Sequence, residues 1–101
     1  MIEIRETDTF KKWFRSLKDK QARSRIDVRI RRISLGNFGD VEPVGNGVSE
    51  IKIDYGPGYR VYFMKQGNIV VILLCGGDKS TQAKDIQAAH ELAYRLKEQN
   101  R

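Results

Sequence analysis

The chain has 101 residues, 40% of them hydrophobic and 32% charged, a length that fills one core and leaves no room for a second, so the expectation is a single domain over residues 1–101 and not a disordered chain. Lys and Arg outnumber Asp and Glu by 19 to 13, for a net charge of +6, which points to a polyanionic partner or an acidic protein. A single cysteine, Cys75, excludes an internal disulfide and a cysteine zinc site, and the longest apolar run, Ile69 to Cys75, is too short to span a bilayer, so no membrane partner and a cytoplasmic location are expected.

Ile2 to Arg5 alternates and reads as a first strand, after which Thr7 is placed to cap a helix. In that helix Phe10, Trp13, Phe14 and Leu17 recur at i, i+3, i+4 and i+7, a buried aromatic face opposite Lys11, Lys12, Arg15 and Lys18. Asp19 caps a second helix with apolar positions Ala22, Ile26, Ile30 and Ile33, and Gly36 is placed to end it. The exposed side of this helical hairpin carries Arg23, Arg25, Arg29, Arg31 and Arg32. Clustered arginines supply charge and forked donors to phosphates, and the plain alternative is a solvated helix face.

Asn37 to Gly47 is rich in turn residues and leaves space for at most one short extended piece, Asp40 to Val44. Val48 to Tyr55 and Tyr59 to Lys65 alternate with period two around Gly56-Pro57-Gly58, and Ile69 to Cys75 follows the turn Gln66-Gly67-Asn68. That last run is apolar at every position, as a central strand covered on both faces would be. Gly76-Gly77-Asp78-Lys79 is expected to end the sheet. Ser80 is a candidate N-cap for a final helix whose Ile86, Ala89, Ala93 and Leu96 form one stripe, with Leu92 beside it.

Counting outward from Gly56-Pro57-Gly58 puts Glu50, Lys52, Asp54, Arg60 and Tyr62 on one face of the hairpin, and Ile51, Ile53, Tyr55, Val61 and Phe63 on the other. The polar face is either a solvated surface, with Lys52 paired to Asp54 or Glu50 and Arg60 to Asp54, or a site. His90 stands alone, so no metal site is expected. No phosphate loop of either standard type is present, so no small-molecule cofactor is expected. A set rich in cations and poor in standard bases suits RNA cleavage, in which the 2′-hydroxyl is the nucleophile and the enzyme supplies a base, charge stabilisation and an acid. Arg60 and Lys79 are candidates to stabilise the phosphate, Lys52 or Glu50 to act as base, and Tyr62 to stack on a base or position the phosphate. Cys75, at the end of the apolar strand, is expected in the core.

The element order and the segments E-I-K-I-D-Y-G-P-G-Y-R-V-Y-F and L-L-C-G-G-D-K-S-T-Q-A-K-D-I-Q-A-A resemble the RelE/ParE toxin superfamily, most closely its HigB-like branch of phage-derived addiction module killer proteins. The resemblance covers nearly the whole chain. It implies an α+β fold, with an N-terminal strand and a helical hairpin packed on a small, mostly antiparallel sheet and a C-terminal helix. It also implies the toxin of a type II toxin–antitoxin pair, whose partners are a cognate helix-turn-helix antitoxin and, in the ribonuclease members, mRNA on the 70S ribosome. Carried over by position, Arg60 in G-Y-R-V-Y-F, Lys52 in E-I-K-I and Lys79 in G-D-K-S act on the scissile phosphate. Glu50 follows more loosely, and Glu42 in V-E-P-V is a second candidate base. The terminal His or Tyr of several ribonuclease relatives has no match here, which keeps two alternatives open: a non-enzymatic DNA gyrase poison with the same fold, or an inactive interaction module.

Overall fold

The computed structural model describes residues 1–99. The elements in chain order are β1 (Glu3–Glu6), α1 (Asp8–Ser16), α2 (Lys20–Ser34), β2 (Val41–Gly45), β3 (Val48–Ile53), β4 (Tyr59–Gln66), β5 (Val70–Asp78), a 3-10 turn (Lys79–Thr81) and α3 (Gln82–Gln99). The five strands form one sheet in the order β1-β5-β4-β3-β2. Only the β1–β5 pair is parallel; β2 to β5 run as an antiparallel meander. The α+β architecture implied by the sequence is the one observed.

Local signals set the helix ends. Thr7 Oγ1 accepts from Phe10 N at 3.0 Å to start α1, and Asp19 Oδ1 accepts from Gln21 N and Ala22 N to start α2, each capturing donors that the first turn leaves free. Gly36, at φ +92°, ends α2 in a Schellman motif: Asn37 N donates to Arg32 O and Gly36 N to Ile33 O, both at 2.9 Å.

Two cores lie on opposite faces of the sheet. On one, Phe10 of α1 and Ile26 and Ile33 of α2 pack on Ile51, Ile53, Val61, Phe63, Val71 and Leu73. On the other, Ala89 and Ala93 of α3 pack on Val48, Tyr62, Met64, Val70, Ile72, Leu74 and Cys75, with Ile86, Leu92 and Leu96 alongside. β5 contributes to both layers, which is why its sequence is apolar on both faces.

Three expectations about boundaries are corrected. The extended piece after α2 is a strand of the sheet, β2, joined to β3 by Asn46 and Gly47 at φ +55° and +78°. Asn-Gly between paired strands is the sequence signature of a two-residue type I′ hairpin, so the meander has four strands instead of three. Gly76 and Gly77 do not end the sheet but pair with Val61 and Arg60 inside β5. The reason is close approach: a Cβ on Gly76 would lie 2.4 Å from the Trp13 ring, and one on Gly77 would lie 1.8 Å from Asp85 Oδ2. Finally, Asp78 caps the turn into α3 in place of Ser80, its side chain accepting from Ser80 N at 2.8 Å in a reciprocal capping box with Thr81.

A bulge couples these features. Tyr62 pairs with Cys75 and Phe63 with Leu73, so Leu74 is the extra residue and both Leu74 and Cys75 face α3. Beyond it the alternation is reset. Gly76 lies under Trp13 of α1 and Gly77 under the first turns of α3.

The two kinds of glycine separate in a stability measurement. Gly76→Ala forces a methyl into the Trp13 ring and is expected to lower stability by about 2–3 kcal/mol, as overpacking does. Gly36→Ala meets no atom within 4 Å but sits at positive φ, and is expected to lose only about 1 kcal/mol. Urea unfolding of both variants checks the order.

Candidate active site at the open end of the sheet

Strand register brings the candidate residues to one end of the sheet. Glu50 pairs with Tyr62, Lys52 with Arg60, and Arg60 with Gly77 on β5, two residues before Lys79. Lys79 is exposed, and its Cβ would be 3.5 Å from a Cβ built on Gly58, so it flanks the turn from which β4 begins. Lys52, Arg60 and Lys79 thus share the sheet end, Lys52 and Arg60 on the one face that the alternation suggested. α3 covers part of their face, and this divides the polar set into an open and a closed half.

Glu50 and Tyr62 fall in the closed half. Glu50 is 1% exposed and Tyr62 has no exposed surface. Glu50 Oε2 accepts from Tyr62 Oη and from Gln82 Nε2, each at 2.9 Å, while Oε1 lies 3.9 Å from Arg60 Nε. Burial first, and then the hydrogen bond to Glu50, push the Tyr62 phenol above its ordinary value. The expectation that Tyr62 stacks on a nucleobase does not survive this placement, because no face of its ring is free. Glu50 as a general base is corrected for the same reason: its carboxylate is closed over by Tyr62 and Gln82 and does not reach a solvent-side ribose. Sequence reasoning passed over Gln82 altogether, and its sole signal was a place in the first turn of the final helix.

Lys52 and Glu42 fall in the open half. Lys52 Nζ and Glu42 Oε2 are 2.5 Å apart, with side chains 32% and 58% exposed. The hydrogen bond between them, reinforced by opposite charge, raises the Lys52 pKa and lowers that of Glu42. Lys52 as the general base is therefore corrected, since that role requires a lowered pKa. At neutral pH it is a cation. Asp54 lies past the end of β3 and pairs with neither Lys52 nor Arg60 in the ion pairs of the described residues.

Arg60 occupies the boundary between the halves. Its side chain is 15% exposed, and its Nε is buried with no hydrogen-bond partner among the described residues. A buried donor without a hydrogen bond carries a penalty of about 1–3 kcal/mol, which attraction to the Glu50 charge offsets.

The five arginines of α2 do not form one surface. Arg25, Arg29 and Arg32 recur at i, i+4 and i+7 and, with Ser24, Val28, Ile53 and Asp54, line a groove of about 350 Å³. Helical spacing puts Arg23 and Arg31 on a different side. Arg29, expected to face solvent, is half-buried and donates to the main-chain carbonyls of Lys52 and of Asp40, the latter at 3.1 Å, tying α2 to the loop and to β3. Arg25 lies over the Tyr55 ring, 4.6 Å from its centroid, a cation–π contact that keeps its charge at the surface. Arg31 and Arg32 are exposed. His90 Nε2 lies 3.0 Å from Val44 O on the flank of α3, where it anchors the β2–β3 hairpin. It borders a smaller cavity of about 230 Å³ with Asn46, Tyr94 and Lys97. Neither concavity includes Arg60. An open sheet end of this kind suits a polymer strand that passes across it more than an enclosed small molecule. Among the described residues no cluster of His, Cys, Asp and Glu could hold a metal ion, and no helix is long and apolar enough to cross a membrane.

Comparison with known proteins gives three findings. Residues 12–98 match the family described as phage derived protein Gp49-like (DUF891). A Haemophilus influenzae protein, itself uncharacterized, is 52% identical over 95 residues, covering 94% of this chain and 96% of the relative. Among solved structures, a double arginine-to-alanine variant of the E. coli toxin RelE in the free state superposes with a TM-score of 0.68 at 15% identity, covering 88% of this chain and 93% of that one.

Two expected outcomes follow from the site's electrostatics. In the folded protein Glu42 titrates below the ordinary glutamate value of 4.5, and Lys52→Met returns it toward that value; carboxyl ¹³C shifts followed against pH check this. A depressed carboxyl stabilises the fold above its unfolded pKa, and that contribution is lost as pH falls through the folded value. For Cys75, burial and then the Asp85 charge push the thiol up to about 12, so at pH 8 iodoacetamide labels the native protein slower than the urea-unfolded chain, by about 100-fold or more.

Proposed function

Because this chain belongs to the Gp49-like phage-derived family, a RelE/ParE-like family of addiction module toxins with cognate antitoxins, we propose that it is a metal-independent, ribosome-dependent mRNA endonuclease that halts translation. The observation that carries this reading is Arg60. It is ion-paired through Nε to the buried Glu50 and stands between Lys52 and Lys79 at the open sheet end. Three clustered cations are matched to the extra negative charge of a phosphorane.

In the proposed reaction the 2′-hydroxyl of the ribose attacks the adjacent phosphorus, the 2′-O–P bond forms and the P–O5′ bond breaks. The products are a 2′,3′-cyclic phosphate and a 5′-hydroxyl. Arg60 and Lys52 hold the non-bridging oxygens. Glu42, the carboxylate open to solvent beside Lys52, takes the 2′-hydroxyl proton, and Lys79 gives a proton to the departing 5′-oxygen. Glu42 is a weak base at its depressed pKa, so the reaction depends on a strand held in attack geometry, which is what the ribosome would supply. The exposed α2 arginines Arg25, Arg31 and Arg32, with Arg23 on the adjoining side, would meet ribosomal or messenger phosphates without reading sequence. The cytoplasm, where ribosomes and messenger coexist, is the compartment this activity requires.

A helix-turn-helix antitoxin is the form of partner this reading expects, with an acidic or helical segment set against the basic face.

Induction of the toxin in cells, with RNA 5′ ends mapped beside an SOS reporter, tests the proposal. Translation-dependent messenger cuts are expected, reduced about 10²–10³-fold by Arg60→Ala, the size of effect that loss of one transition-state donor produces. Lys79→Ala should reduce them while leaving the fold intact. An SOS response with intact transcripts would overturn the nuclease reading in favour of gyrase poisoning, and silence in both assays would leave an interaction module.

A further inference from the structure

A buried carboxylate is strongly destabilising unless donors surround it, so the groups that donate to Glu50 belong to the site as much as those that face solvent. Glu50 comes from β3, its first donor Tyr62 from β4, and its second donor Gln82 from the first residue of α3. Both donors converge on Oε2 at 2.9 Å. With that oxygen held from two directions, the carboxylate plane is fixed, and Oε1 stays toward Arg60 Nε. At 3.9 Å that contact is too long for a hydrogen bond but short enough for strong attraction in a buried setting. Arg60 is thus held through Nε by a fixed charge, with no hydrogen bond closing the contact.

The chemistry of the amide explains why glutamine suits position 82. It donates to Glu50 without carrying charge, so the whole negative charge of the carboxylate remains available to Arg60. A lysine there would compete with Arg60 for Glu50, and a glutamate would set a second carboxylate against the first.

We propose that Gln82, acting through Glu50 together with Tyr62, is the positioning residue of Arg60: it locks the buried carboxylate so that the guanidinium is presented in one orientation at the open end of the sheet. The consequence for cleavage rests on the nuclease reading above, whereas the positioning itself can be measured without RNA. The same bond ties the first residue of α3 to β3, three residues after Lys79. Gln82 touches no reacting atom.

The experiment follows the Arg60 Nε–H signal in ¹⁵N-arginine spectra of the whole protein, assigned with Arg60→Lys. Gln82→Met keeps the side chain's length and removes its donor. In the unaltered protein one slowly exchanging Arg60 signal is expected, and in Gln82→Met its exchange with water is expected to quicken about tenfold or more, the equivalent of one hydrogen bond to a charged group. Tyr62→Phe removes the other donor to Oε2 and should act in the same direction, which keeps the test decisive if Gln82→Met fails to fold. In RNA cleavage, Gln82→Met should lower the rate about tenfold when Arg60 is present and less than twofold in an Arg60→Ala background, the non-additivity of a residue that acts through another. An unchanged Arg60 signal in folded Gln82→Met, or the same loss in both backgrounds, would overturn the positioning role. Absence of cleavage by the unaltered protein would overturn the nuclease reading alone, with the Arg60 signal still deciding the positioning.

Discussion

One buried carboxylate joins most of what matters in this molecule. Glu50, 1% exposed, receives a phenol from β4 and an amide from α3 and stands under the guanidinium of Arg60. Removing any one donor leaves a charged group short of partners in a low-dielectric interior, where such losses are large. Apolar packing of Ala89 and Ala93, with Ile86, Leu92 and Leu96 alongside, holds α3 on the sheet. The bond from Gln82 to Glu50, and those from His90 and Lys97 to the β2–β3 hairpin, add polar ties along its length.

A second constraint supports the first. β5 has helices on both faces, and at Gly76 and Gly77 they approach so closely that a methyl group fits on neither side. The bulge at Leu74 makes this possible by resetting the alternation, so that Gly76 lies beneath Trp13 and Gly77 beneath Asp85. The outcome is a sheet end where α3 starts directly beside Arg60, with Lys79 displayed on the turn that precedes it. Packing thus shapes the sheet end: the same close contact that seals the core brings a third cation beside Arg60.

Electrostatically the molecule is divided. The α2 side spends one arginine, Arg29, on main-chain carbonyls and one, Arg25, on an aromatic ring, and leaves the others to solvent. The sheet end sets Lys52 against Glu42 and Arg60 against Glu50, so two of its three cations are oriented by carboxylates. A polyanion approaching the first surface meets mobile charge suited to loose, sequence-independent contact. At the second it meets fixed donors suited to one phosphate.

Much of this was legible in the chain. The caps at Thr7 and Asp19, the stop at Gly36, the stripe along α3 and the two-faced burial of β5 all follow from short-range spacing, because a helix turn or a strand pleat is set by residues a few positions apart. The shared face of Glu50, Lys52, Arg60 and Tyr62 followed in the same way, whereas the family resemblance rested on element order and two distinctive segments. The hairpin dipeptide Asn46-Gly47 was present to be read, yet the surrounding turn residues hid the strand it joined. What covers a face is another matter. Alternation puts Glu50 and Tyr62 on the polar side of a hairpin, but only the docking of a helix that begins at residue 82 closes over them, leaves Lys52 and Glu42 outside, and strands Arg60 Nε between. Burial and pKa depend on contacts between segments far apart in sequence, so the chain by itself determined which residues share a surface, and the tertiary structure decided which of them meet water.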